Sequence, residues 1–78
     1  MNQFDRELDT TGLNCPMPVM RTKKALLDLD PGQVLHIIST DPATTEDIPE
    51  LLGTTGDCIL DSREDGGKFH FYIRKVDR

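Results

Sequence analysis

The 78-residue sequence predicts an α+β domain, a two-layer sandwich with two helices packed on one face of a four-stranded mixed sheet. Three observations predict it. The periodic segments fall in the order β-α-β-α-β-β, a Gly-Gly hairpin signal joins the last two, and the length leaves room for a single core. Residues 1–78 therefore read as one domain, with no repeat, linker or low-complexity segment.

The first strand is predicted over Arg6 to Thr10, where Leu8 sits between charged residues, and it ends by Gly12. From Pro16 to Leu29 the residues Val19, Leu26 and Leu29 share one helical face, flanked by Met20, Ala25 and Leu27. Arg21, Lys24 and Asp28 fall on the other side, and Asp30-Pro31-Gly32 ends the helix. Gln33 to Thr40, QVLHIIST, is β-branched and apolar enough for a largely buried strand.

Asp41-Pro42 then reads as an N-cap followed by proline at the first helical position, with Glu46 and Asp47 suited to the positive end of the helix dipole. Pro49 removes one ladder hydrogen bond, which predicts a kink or break near Asp47 before the helix stops between Gly53 and Gly56. Asp57 to Arg63 and Lys68 to Val76 flank Glu64-Asp65-Gly66-Gly67 and form a hairpin. In its second arm Phe69, Phe71 and Ile73 alternate with His70, Tyr72 and Arg74, giving one apolar and one polar face.

The formal net charge is −5, with 9 Lys and Arg against 14 Asp and Glu, so the average field repels phosphate backbones and argues against direct nucleic-acid binding. MNQFDRELD has no apolar core of signal-peptide length, and no later stretch is long enough to span a bilayer. The expectation is a cytoplasmic protein with no membrane association. Two cysteines, Cys15 and Cys58, do not make a disulfide framework, and a reducing compartment keeps both as thiols.

The segment GLNCPMPVM, Gly12 to Met20, places Cys15 at or next to a helix N-cap with Pro16 and Pro18 behind it. Proline is tolerated there because first-turn N–H groups have no intrahelical partner to lose. Pro16 also biases Cys15 toward extended geometry, and the two prolines together restrict the loop around the sulfur. Free N–H groups and the helix dipole favour a thiolate, so a depressed Cys15 pKa is expected. The residues alone leave two readings open: a presented, activated sulfur, or a small half-buried loop cysteine before ordinary helix starters.

A short strand, G-L-x-C-P-x-P at a helix start, a strand followed by TDPATTEDIP, and a terminal hairpin resemble the TusA sulfurtransferase family of small persulfide carriers. The resemblance runs from Leu8 to Lys75, and its two motifs are specific together. It implies that Cys15 accepts sulfane sulfur as a persulfide from a protein donor, a cysteine desulfurase or rhodanese, and hands it to an acceptor protein. Family members serve tRNA 2-thiouridine synthesis, sulfur oxidation or molybdenum-cofactor sulfuration, and the motif does not choose among these. No metal or organic cofactor is required, since the sulfur is carried covalently.

Pro16 and Pro18 are expected to position the loop. Met17 occupies the variable position, where many members carry an acidic residue, and either contacts a partner or is plain surface. Arg21 and Lys24, with Lys23 nearby, either stabilise the persulfide anion, dock an acidic partner, or form a solvated helix face; Lys23 falls within the apolar arc, where snorkelling explains it. Cys58, beside Ile59 and Leu60, is expected to be partly or fully buried and structural. His36 and His70 are expected to be satisfied sheet residues, because the spacings of the cysteines and histidines match no short zinc-ligand pairs. Asp41, Thr44, Thr45 and Asp47 read as caps and dipole partners. Two alternatives to a carrier remain: a binding or regulatory module in which Cys15 is structural, and a thiol redox protein using Cys15 and Cys58.

Overall fold

The computed structural model describes residues 3–76. Its elements are β1 (Arg6–Thr10), α1 (Met17–Asp28), β2 (Val34–Ser39), α2 (Thr44–Thr55), β3 (Cys58–Asp65) and β4 (Lys68–Arg74). The strands form one sheet in the order β1-β2-β4-β3. β1 and β2 are parallel and the other pairings antiparallel, so the sheet is mixed. The predicted class and element order hold.

Alternation along β2 and β4 aims Leu35, Ile37, Phe71 and Ile73 at the helices, where they meet Ala25, Leu26 and Leu29 from the first helical segment and Ile48 and Leu52 from α2. Leu26, Leu35, Ile37, Ile48 and Ile73 are essentially solvent-free, and each such side chain contributes about 1.5–3 kcal/mol of burial. Thr22 is also fully buried on this face, its hydroxyl donating to the Pro18 carbonyl at 2.7 Å. Met20 and Leu27, expected to flank the apolar face, instead point outward and are 58% and 64% exposed. The core takes a narrower stripe than the count of apolar residues suggested.

α2 departs from expectation in two ways. It starts at Thr44 with Ala43 as N-cap, because the Asp41 carboxylate makes a turn of its own: Oδ1 accepts the Ala43 N–H at 3.0 Å, and the Asp41 carbonyl accepts the Thr44 N–H at 3.0 Å. It then runs unbroken through Pro49. Pro49 is exposed and forfeits one bond, while buried Ile48 and Leu52 anchor the helix on either side of it. Gly56 ends it in the left-handed region at φ 83°, its N–H donating to Leu52 O at 2.8 Å.

The hairpin turn is tighter than predicted, with Gly66 and Gly67 both at positive φ as a two-residue connection requires. β3 is an edge strand with a register shift between Ile59 and Asp61, and most of it is exposed. Cys58 is therefore exposed rather than buried. The expected polar face of β4 is also covered: His36 stacks on its cross-strand partner Tyr72 at 4.3 Å and 2°, and both are nearly buried. His36 Nε2 and His70 Nδ1 share a hydrogen bond of 2.9 Å, but His36 Nδ1 is buried without a hydrogen-bond partner among the described residues, so His36 is only half of the satisfied sheet residue expected.

Candidate functional site

β1 and β2 finish side by side, with Thr10 opposite Ser39, and the loops leaving them carry Cys15 and Asp41. Two bonds tie the loops together. The Gly12 N–H donates to Thr40 Oγ1 at 2.9 Å, and the Cys15 N–H donates to Asp41 Oδ2 at 2.7 Å. Gly12 turns the chain at φ 81°, and the Met17 N–H closes a turn on the Asn14 carbonyl at 2.9 Å. The Cys15–Pro16 peptide is cis. Pro16 is the N-cap of α1 and Pro18 is buried at its start, so the thiol stands one residue before the N-cap, exposed, as expected.

Cys15 and Pro16 form the rim of a groove of about 340 Å³ between α1 and α2. Val19 and Leu51 give it an apolar wall, and Asp47 and Glu50 line it from α2. The Asp47 oxygen Oδ2 is buried and has no hydrogen-bond partner among the described residues.

The environment of the sulfur is opposite in sign to the sequence expectation. The thiol is held above its ordinary value, first by its hydrogen bond to the Asp47 carboxylate, then by desolvation, then by the charges of Asp47 and Asp41. The helix entrance does not offset this. Pro16 and Pro18 have no N–H to offer, the Cys15 N–H is taken by Asp41, and the Met17 N–H is taken by Asn14. The prolines that fix the sulfur also remove two of the N–H donors that a helix start would otherwise offer a thiolate.

The other predicted residues divide. Met17 is 36% exposed at the first position of α1 and does not line the groove. Arg21 and Lys24 do not join the groove; they line a separate cleft against β1 with Arg6, Leu8 and Asp28, where Arg6 and Asp28 are paired at 3.5 Å. Asp47 does join it, a residue the sequence reading assigned only to the helix dipole. The signal was present in its place in TDPATTEDIP, but proximity to Cys15 comes only from the tertiary fold.

The family described as Sulfurtransferase TusA matches residues 6–75. The chain belongs to the TusA sulfurtransferase family. It is 51% identical over 75 residues to the sulfur carrier protein TusA of Allochromatium vinosum, covering 96% of this chain and 99% of that one. It is 44% identical over 74 residues to the sulfur carrier protein TusA of Pseudomonas aeruginosa, covering 95% and 94% of the two chains. In fold it is similar to the crystal structure of a SirA-like protein from Desulfitobacterium hafniense, with a TM-score of 0.81 at 24% identity, over 94% of this chain and 100% of that one.

Among the described residues no group of three or more His, Cys, Asp or Glu is arranged to hold a metal ion. No described helix is long and apolar enough to cross a membrane.

Proposed function

We propose that this TusA-family protein is a cytoplasmic sulfur carrier that accepts sulfane sulfur as a persulfide on Cys15 and relays it between protein partners. The observation that carries the reading is the placement of Cys15, exposed at the rim of a groove and held by a proline-fixed loop, in a chain 51% identical to a sulfur carrier. Loading is a thiol exchange at sulfur. The Cys15 thiolate attacks the terminal sulfur of a donor persulfide; the Sγ–S bond forms as the donor's S–S bond breaks, and the donor leaves as a thiolate that takes up the proton Cys15 gave. Unloading is the same step in reverse sense, with an acceptor thiolate attacking Cys15–S–SH. Neither step needs an external oxidant or a cofactor. The donor is a cysteine desulfurase or a rhodanese, and the acceptor serves tRNA thiolation, sulfur oxidation or cofactor sulfuration.

The redox alternative fits the geometry poorly. Cys58 pairs with Arg74, which pairs with Val34 at the start of β2, whereas Cys15 is tied to the loop beyond Ser39 at its far end. A six-residue strand puts those ends roughly 16 Å apart, and a disulfide needs Cα atoms within about 7 Å.

Intact-protein mass spectrometry after incubation with a cysteine desulfurase and cysteine, and separately with thiosulfate and a rhodanese, tests the carrier. The expected result is a reductant-sensitive gain of one sulfur atom mapped to Cys15 and absent from Cys15→Ser. No gain from either donor, with Cys15 free and alkylatable, would move the assignment to a binding module.

A further inference from the structure

The groove beside Cys15 is charged in one sense only. Its walls carry the carboxylates of Asp47 and Glu50 and no cation, and the loop behind the sulfur adds Asp41. Arg21 and Lys24 lie on the other flank of α1, in the cleft against β1. Asp41 cannot turn away, because its two oxygens are engaged by the Cys15 and Ala43 N–H groups at 2.7 and 3.0 Å.

Asp47 is placed differently. Its Oδ2 is buried without a hydrogen-bond partner among the described residues, and the carboxylate lines the same groove as the Cys15 thiol, whose S–H is the donor it faces. Removing that proton takes away the carboxylate's donor and sets a second negative charge against it. An empty groove therefore favours the thiol, and a thiol is a poor nucleophile.

We propose that Asp47 gates Cys15: its carboxylate faces the sulfur across the groove wall, and a cationic side chain of the donor protein, entering the groove against Asp47 and Glu50, pairs with that carboxylate and frees the sulfur to react. The inference rests on Cys15 being the sulfur-accepting atom. It makes Asp47 a positioning residue and gives the docking partner a stated chemistry, a lysine or arginine beside an apolar contact to Val19 and Leu51. Its consequence is selectivity. The exposed sulfur stays unreactive toward stray electrophiles and becomes a nucleophile inside the right complex. The raised titration of Cys15 agrees with this.

The test is the rate of Cys15 alkylation by iodoacetamide against pH, in a Cys58→Ser background so that one thiol reports. Asp47→Asn keeps the shape and removes the charge. It should lower the titration midpoint, and at a pH below both midpoints the reactive fraction should rise about tenfold for every pH unit by which the midpoint falls. Asp47→Ala, checked for folding by circular dichroism, should move the midpoint the same way, so the result does not hang on one substitution. Methylguanidinium, a small mimic of the partner's cation, should speed alkylation of the Asp47 protein beyond sodium at equal ionic strength and do nothing for Asp47→Asn. An unchanged midpoint in both variants overturns the gate, and no effect of methylguanidinium overturns the cationic trigger. These readouts use no sulfur donor, so failure of persulfide loading would sink the carrier reading without touching them.

Discussion

The helix-side groove and the opposite face of the sheet each bury one polar atom without a hydrogen-bond partner among the described residues: Asp47 Oδ2 on one side, His36 Nδ1 on the other. Their surroundings differ. His36 is stacked on Tyr72, bonded through Nε2 to His70, faced by the Glu7 carboxylate at 3.6 Å, and covered by the ring of Phe4 at 5.0 Å. Its Nδ1 lies in a packed aromatic cluster, faces the Glu7 carboxylate beyond hydrogen-bond distance, and has no nucleophile beside it. Asp47 stands next to an exposed thiol. The same local defect is a cost of packing in one place and a control on chemistry in the other, and what decides is the reactivity of the nearest neighbour.

The largest expected effect separates the two faces by function. Cys15→Ser should abolish persulfide loading outright, while His36→Gln and Cys58→Ser should load within about twofold of the parent, since neither residue lines the groove. Loss of loading in Cys58→Ser would mean that the far end of the sheet takes part in transfer after all.

A second contrast concerns stability. Ile37 lies on β2, between the two faces, and is fully buried; Leu60 lies in the irregular part of edge strand β3 and is 46% exposed. Ile37→Ala should cost about 2–5 kcal/mol in urea unfolding, and Leu60→Ala under about 1 kcal/mol. Near-equal costs would show that β3 is packed against something that leaves no trace in the isolated chain.

Most of the fold was legible because its signals are local. A β-branched apolar run marked β2, alternation marked β4, Gly66-Gly67 marked the hairpin, and Gly56 closed α2. The misreadings share one cause, that they depend on what a residue meets across the fold. Pro49 predicts a break only if nothing holds its helix, and Ile48 and Leu52 hold it. Cys58 looks buried beside Ile59 and Leu60 until β3 proves to be an edge. The site divided in the same way. The position of Cys15 before the helix could be read from its prolines, but the sign of its electrostatics depended on Asp41 and Asp47, 26 residues on in the case of Asp41.

The smallest expected effect lies in the pH dependence of stability, and there the two faces should act at opposite ends of the scale. His36 is pushed below its ordinary value of 6.5, chiefly by burial, with His70 and Arg63 adding and Glu7 opposing. Below that ordinary value the unfolded chain takes a proton that the folded one resists, so the stability His36 contributes is present above it and is lost as pH falls through the lowered folded value. Cys15 is raised, so its contribution is present below the ordinary thiol value and is lost as pH rises through the raised one. Urea midpoints measured across both windows should fall at the acid end in the parent and fall less in His36→Gln, whereas Asp47→Asn should flatten only the alkaline end. An acid limb unchanged in His36→Gln would assign that loss to the carboxylates instead, and would leave the histidine cluster as packing alone.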